Sequence, residues 1–323
     1  MTTREILDRL PQLAALVIGD ICLDRWCRYD PALAEPSRET GISRLAVVST
    51  EITAGAGGTV ANNLAALGVG RVSVLGVAGN DGFGYELKQA LAAQRVDSNL
   101  LVTLPGWPTF TYTKVINITS DEEDHPRLDF VSTHDLPIEA EALLVARLRE
   151  SAAMFDVILV SDQAETEHGG VVGSAIREEL SQIAAADPKK IIWVDSRLRA
   201  ALFRKVIVKA NEDEAAAACE RAFGKVDYPK LQTLTAAPLL VVTHGGDGVS
   251  LIESGTSQRI TTTKVPNPVD ICGAGDSFSA GAAMALAANA DAESAARFGN
   301  AVASIPLMKR GTGTASPREL LAL

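Results

Sequence analysis

Short, unbroken apolar runs recur along this chain with amphipathic segments between them, and that alternation limits the fold more than any other feature. LAALVIGD (13–20), VSVLGVAG (72–79), DVILVSD (156–162), KIIWVDS (190–196), KVIVKANE (205–212) and LLVVTHG (239–245) are rich in Val, Ile and Leu. Several end in Gly, Asp, Asn or Ser. Helical spacing marks the segments GYELKQALAAQ (84–94), EAEALLVARLRESAAM (139–154) and GGVVGSAIREELSQIAAA (169–186). A strand that is apolar on both sides needs cover on both faces, so the pattern predicts an α/β fold with a mostly parallel sheet between helical layers. Ligands bind beyond the carboxyl ends of such strands, which draws attention to the polar residues ending the runs. With 323 residues and 47% hydrophobic content, the chain has enough apolar side chains for one large core.

Three stretches break the rhythm. TGISRLAVVSTEIT (40–53), TFTYTKVINIT (109–119) and RLDFVS (127–132) mix β-branched and aromatic residues in partial alternation, which suits antiparallel strands with one wet face. They predict a small β-sheet lid, drawn from about 24–53 and 107–134, over a single domain spanning 1–323. Between the last two lies DEEDHP (121–126), read as a solvated hairpin tip because no rigid element spaces its carboxylates for a metal. A formal net charge of −10 argues against nucleic acid or an anionic membrane as a partner. The N-terminal segment carries charges through its first turns, so no signal peptide is expected, and no apolar run has membrane-spanning length. Cys22, Cys27, Cys219 and Cys272 lack paired spacing and read as free thiols of a cytoplasmic protein.

The chemistry concentrates in DICGAGDSF (270–278). Small residues at a helix start let backbone N–H groups approach an anion, and the first amides of a helix have no intrahelical partner. An isolated Asp there serves equally well as an N-cap. Gly273, Ala274 and Gly275 directly before Asp276 go beyond what a cap needs. Amides that stabilise a transferring phosphoryl group, beside a carboxylate that accepts an alcohol's proton, are the parts of a phosphotransferase.

The motif Asp270-x-x-Gly273-Ala274-Gly275-Asp276-x-Phe278 closely resembles the C-terminal signature of the ribokinase/PfkB family of carbohydrate kinases. Further elements in family order extend the resemblance over nearly the whole chain. They are Gly19-Asp20-Ile21-Cys22-Leu23-Asp24, the N-x-x-E of Asn211 to Glu214, and the T-x-G-x-x-G of Thr243 to Gly248. Within that family the GDxxLDRW-like start, Arg127-Leu128-Asp129-Phe130 and the ending Lys309 to Thr314 look like heptose-phosphate kinases. The resemblance implies a ribokinase-like three-layer α/β/α fold and transfer of the ATP γ-phosphoryl group to a hydroxyl of a sugar or sugar phosphate. It implies Asp276 as general base with Gly273–Gly275 as anion hole. Asp20, Asp24, Gly55, Gly57, Thr59 and Asn63 would bind the sugar. Asn211, Thr243, Gly245, Gly248 and Asn300 would bind the nucleotide. Asn211 and Glu214 would act on Mg²⁺ through water, although an N-cap with a first-turn acid explains the same pair. It also allows a monovalent cation and a homodimer through the lid.

Departures from the family pattern bear on the substrate. Where the family has Gly-Gly and then Asn, this chain has Ala54-Gly55-Ala56-Gly57-Gly58-Thr59, with Thr59 at the Asn position. After Ser161-Asp162, heptose-phosphate kinases carry Lys-Gly, but here Gln163-Ala164-Glu165-Thr166 puts an acid where a base is expected. No H-x-G-H motif of a nucleotidyltransferase is found. Arg197 and Arg199 follow a strand end and are read as phosphate contacts or surface residues, and Trp26 and Trp107 as lid core in preference to packing on a sugar face. The alternatives are a nucleoside kinase of the same fold and a pseudokinase that binds without turnover. A dehydrogenase is disfavoured, because Gly55 to Val60 fails G-x-G-x-x-G.

Overall fold

A computed structural model describes residues 1–164, 166 and 168–323. In chain order its principal strands are β1 (Ala14–Gly19), β2 (Ile21–Tyr29), β3 (Val47–Ala56), β4 (Arg71–Leu75), β5 (Thr111–Asn117) and β6 (Leu128–Phe130). They continue as β7 (Val157–Asp162), β8 (Ile191–Ser196), β9 (Ile207–Asn211), β10 (Leu240–Thr243), β11 (Val249–Glu253) and β12 (Thr256–Ile260). Eight form the main sheet in the order β12-β11-β10-β9-β8-β7-β1-β4. It is parallel from β10 to β4, and β11 and β12 close one edge as antiparallel strands.

The strands bury both faces. Along β7, Val157 and Leu159 enter one core while Ile158 and Val160 enter the other. The first core is completed by α1 (Gly57–Ala66), α2 (Gly82–Ala93) and two further helices, Ala274–Ala287 and Ala292–Ser304. The second holds α3 (Ile138–Ser151), α4 (Ser174–Ala186) and α5 (Glu212–Phe223). We call the last two helices of the first core α6 (Ala274–Ala287) and α7 (Ala292–Ser304). This is the three-layer α/β/α architecture expected from the apolar runs.

Four strands stand apart as a second sheet in the order β6-β5-β2-β3. Here the expectation of antiparallel strands needs correction. β2 pairs in parallel with β5, because the two are separated by a long excursion through the main sheet, whereas β2–β3 and β5–β6 are antiparallel. The run 72–79 also divides. Its second part, Val77–Gly79, leaves the main sheet to pair with Val102–Leu104. The acidic stretch 121–126 is more than a wet tip. Asp124 accepts hydrogen bonds from Tyr29 Oη (2.7 Å) and Asn117 Nδ2 (2.9 Å), and Asp121 is ion-paired with Arg28 and Arg310. Among the described residues no helix is long and apolar enough to cross a membrane.

Candidate active site

The start of α6 organises the site. Gly273 holds the left-handed conformation with φ 77°, which glycine adopts without a Cβ penalty. Its carbonyl accepts from the Ser277 amide at 2.9 Å, while Gly273 itself supplies no side-chain cap. The first-turn amides are thereby left for a ligand. Asp276 sits within this turn, not at the cap, and makes no side-chain hydrogen bond to any described residue. Its half-buried carboxyl is pushed up to about 7, first by withdrawal from water and then by the negative charge of Asp195, with Lys209 pulling the other way.

Two cavities meet at this turn. One, of about 230 Å³, is lined by Asp24, Thr59, Lys114, Arg127, Arg197, Gly273 and Asp276. The other, of about 680 Å³, is lined by Asn211, Thr243, Gly245, Gly248, Ala274, Gly275 and Asn300. The turn is therefore a shared wall. The carboxylate faces the smaller cavity, and Ala274 and Gly275 face the larger.

All five residues read from the sequence as nucleotide-binding line the larger cleft. Gly248 (φ 91°) also lets the turn between β10 and β11 approach the end of β12, since a Cβ there would lie 2.1 Å from the Ile260 carbonyl. Asn300 places a buried Nδ2 at the cleft with no hydrogen-bond partner among the described residues. Asn211 and Glu214 form a reciprocal capping box at the head of α5, with bonds of 2.9 and 2.8 Å. Burial raises the Glu214 carboxyl. Among the described residues no group of three or more His, Cys, Asp or Glu could hold a metal directly. A Mg²⁺ ion fits these residues only through its water shell, and so through the oxygen the cap leaves over.

The sugar-side expectations divide. Asp24 and Thr59 line the smaller cavity with Asp276. The Asp24 carboxyl is pushed up to about 6 by burial, opposed by its Cys22 hydrogen bond and by Lys114 and Arg127. Surface pairing of Asp24 with Arg25 or Arg28 does not occur, because Arg25 pairs with Glu86 and Arg28 with Asp121. Gly55 stands behind Asp24, and a Cβ there would lie 2.5 Å from the Asp24 carboxyl atoms. Gly57 and Asn63 do not line the cavity. Gly57 donates its amide to the Asp20 carbonyl, and Asn63 Nδ2 bonds the Thr59 carbonyl within α1. Asp20 does not line it either. Its oxygens accept the amides of Gln163 (2.8 Å) and Val171 (2.7 Å), so it anchors the 163–171 segment beside a separate apolar cavity with Trp107. Arg199 is not a free phosphate contact or a surface residue but is buried in an ion pair with Asp162. Glu165 lies outside the described residues.

Lys114 and Lys209 were not singled out by sequence. For Lys114 a weak signal exists: Thr111, Thr113 and Val115 are buried, so the alternate residues Tyr112 and Lys114 fall on the other side of β5. For Lys209 the signal was a lone charge inside an apolar run.

The chain belongs to the pfkB family of carbohydrate kinases, whose family profile matches residues 15–319. It is thus a sugar kinase, and the family implies ATP and Mg²⁺. It is similar to the bifunctional protein HldE of Bradyrhizobium diazoefficiens, 31% identical over 94% of this chain and 61% of the relative. HldE of Geobacter metallireducens is 32% identical over 95% of this chain and 62% of the relative. The chain thus spans about three-fifths of the length of these relatives. Among solved structures, ribokinase from Thermotoga maritima superposes with a TM-score of 0.70 at 21% identity, covering 96% of this chain and 98% of that one. Phosphofructokinase-2 from Escherichia coli in complex with potassium gives 0.68 at 21% identity, covering 96% and 97%. The ligand-free nucleoside kinase of Burkholderia thailandensis gives 0.72 at 15%, covering 96% and 99%.

Proposed function

We propose that this protein transfers the γ-phosphoryl group of ATP to a hydroxyl of a sugar that already carries a phosphate. The observation that carries the reading is the shared wall at Gly273–Asp276, with amides on the nucleotide side and a carboxylate on the acceptor side. Asp276 takes the hydroxyl proton as the acceptor oxygen bonds to the γ-phosphorus and the β,γ-bridging bond breaks, leaving ADP. Burial suits the carboxyl to this work, since a base poised near neutrality accepts and later releases a proton readily. Mg²⁺ would supply charge neutralisation for the phosphates, held through water near Asn211 and Glu214. Asp24 orients the sugar by accepting from its hydroxyls. Lys114, Arg127 and Arg197 favour an anionic acceptor, because these basic side chains around one small cavity, beside an Arg25 that is ion-paired with Glu86 and with Arg127 itself paired to Asp129, are more than a neutral sugar requires. The relatives named HldE point the same way, and the reaction belongs in the cytoplasm.

The lid closes this chemistry from water. We assign its exposed apolar residues, Val47, Val48, Ile52, Leu128 and Phe130, to a second copy of the chain in a homodimer. Light scattering of the wild type against Val48→Asp tests this, and a wild-type monomer at micromolar concentration would refute it.

The test of function is ADP release with MgATP, with and without potassium, across sugars, sugar phosphates and nucleosides, beside Asp276→Asn. Acceptor-dependent release that falls about a thousandfold in the variant supports the reading, as expected for losing a general base and its positioning. Preference for a nucleoside, or ATP binding without turnover on any acceptor, would overturn it.

A further inference from the structure

Lys209 stands where its strand calls for an apolar residue. β9 lies inside the sheet between β8 and β10, and the flanking Val208 and Ala210 are fully buried. Lys209 itself is 5% exposed. Its Nζ donates to Asp195 Oδ2 at 2.8 Å across the β8–β9 pair, and Ser279 Oγ of α6 donates to the same oxygen at 3.0 Å. Asp195 is the only hydrogen-bond acceptor of this ammonium among the described residues, although an ammonium has three N–H groups to give. A buried ion pair costs desolvation that an apolar pair of similar volume avoids, so stability alone is a weak reason to keep one.

Direction supplies a stronger reason. Lys209 Nζ lies 3.2 Å from where a Cβ on Gly275 would stand, hard against the amide turn. Lys209 also lines the nucleotide cleft beside Asn211 and Gly275. The other lysine of that cleft, Lys264, is at its rim, 70% exposed and paired with Asp247 at 2.6 Å. The buried cation thus sits where the turn meets the cleft, with N–H groups to spare.

We propose that Lys209 contacts the phosphoryl group in transit, and that Asp195 and Ser279 are positioning residues that keep its ammonium beside the Gly275 turn. The proposal rests on the kinase reading above. Amide dipoles supply partial charge to the transferring oxygens, whereas a fixed ammonium supplies a full one in a site that needs no reorganisation at the moment of transfer. Lys209 keeps its proton throughout, since Asp276 receives the one released by the acceptor.

Three variants of the full chain test it: Lys209→Met, Asp195→Asn and the double variant Lys209→Met/Asp195→Leu. Calorimetric titration with ATP and with ADP, both with Mg²⁺, reads the contact without turnover. In Lys209→Met the preference for ATP over ADP should fall about tenfold or more, the loss expected for a hydrogen bond to a charged group. Its kcat should drop about a hundredfold to a thousandfold with a smaller change in KM for the acceptor. Asp195→Asn keeps the cation and should retain the ATP preference. The double variant removes the pair as a unit, so it should melt no lower than wild type while remaining as inactive as Lys209→Met. An unchanged ATP:ADP ratio in Lys209→Met, or recovery of kcat in the double variant, would mean the pair is purely structural and would overturn the proposal. If the wild type shows no acceptor-dependent ADP release, the kinase reading fails separately, and the ATP:ADP ratio still decides whether Lys209 meets the terminal phosphoryl group.

Discussion

The two cavities that share the Gly273–Asp276 wall are built by opposite means. The proposed nucleotide cleft draws its lining from residues 209–307, one contiguous third of the chain, and mostly from strand ends and turns. The acceptor cavity gathers side chains from Asp24 to Thr312, through β2, α1, β5 and the loops after β7 and β8. The first is backbone geometry repeated at successive βα junctions. The second depends on where a separate sheet is laid over the first. Damage to the two should therefore look different, and that difference can be tested.

The largest separation is expected from Gly55→Ala. Its Cβ would fall on the Asp24 carboxyl, and displacing an orienting group by an ångström costs about a hundredfold. Acceptor kcat/KM should drop by that amount while ATP affinity, measured by calorimetry, stays the same. Parallel loss of ATP binding would erase the distinction between the cavities. Next comes Lys114→Ala, expected to raise KM for a phosphorylated acceptor about tenfold to a hundredfold, and that of its unphosphorylated counterpart far less. Equal effects on both acceptors would remove Lys114 from phosphate recognition.

The Asp276 carboxyl gives a pH signature shared by both cavities. With Asp276 as the proposed base, turnover uses the carboxylate, so kcat/KM should fall about tenfold per pH unit below a limb near 7. The stability effect has the opposite sense. An acid whose folded pKa lies above its unfolded value favours folding while protonated, and that advantage is lost as pH rises from about 4 to about 7. Asp276→Asn escapes the loss and should melt higher than wild type at pH 8 by differential scanning calorimetry. An equal or lower melting temperature there would show that the carboxyl is not held up by its surroundings.

The smallest effect concerns Ala56, which precedes α1 at φ 50° and ψ −119°, a conformation natural to glycine. Ala56→Gly should raise stability in urea by about 1 kcal/mol, the strain relieved exceeding the added freedom of the unfolded chain. Destabilisation would mean that the Ala56 methyl packs better than its backbone suffers.

The same contrast explains what the sequence made legible. Asn211, Thr243, Gly245, Gly248 and Asn300 assemble into one cleft, because caps and glycine turns at strand ends are local features and the α/β rhythm places those ends side by side. The place of Asp276 in the first turn of α6 was legible for the same reason. Asp20 was misplaced because a strand-end Asp points equally well to a ligand or to neighbouring amides, and the amides of Gln163 and Val171 come from more than 140 residues away. Lys114 was missed because the parallel pairing of β2 with β5 is a long-range event with no local mark. The substitution at Ala56 was visible, but its cost was not, since dihedral strain appears only once the backbone is traced.

The ion pairs at Asp121 carry one more consequence. Asp121 follows β5 in the small sheet, and its partner Arg310 precedes Gly311 and Thr312, which line the acceptor cavity. Thr312 also lies beside Gly273, 3.4 Å from where a Cβ there would stand. Moving the small sheet away must break a clasp on a segment that rests against the Gly273 turn. The clasp is exposed to solvent, where such pairs contribute little and are weakened by salt. Access to the proposed acceptor cavity should therefore quicken with ionic strength, through an ion pair that lines neither cavity.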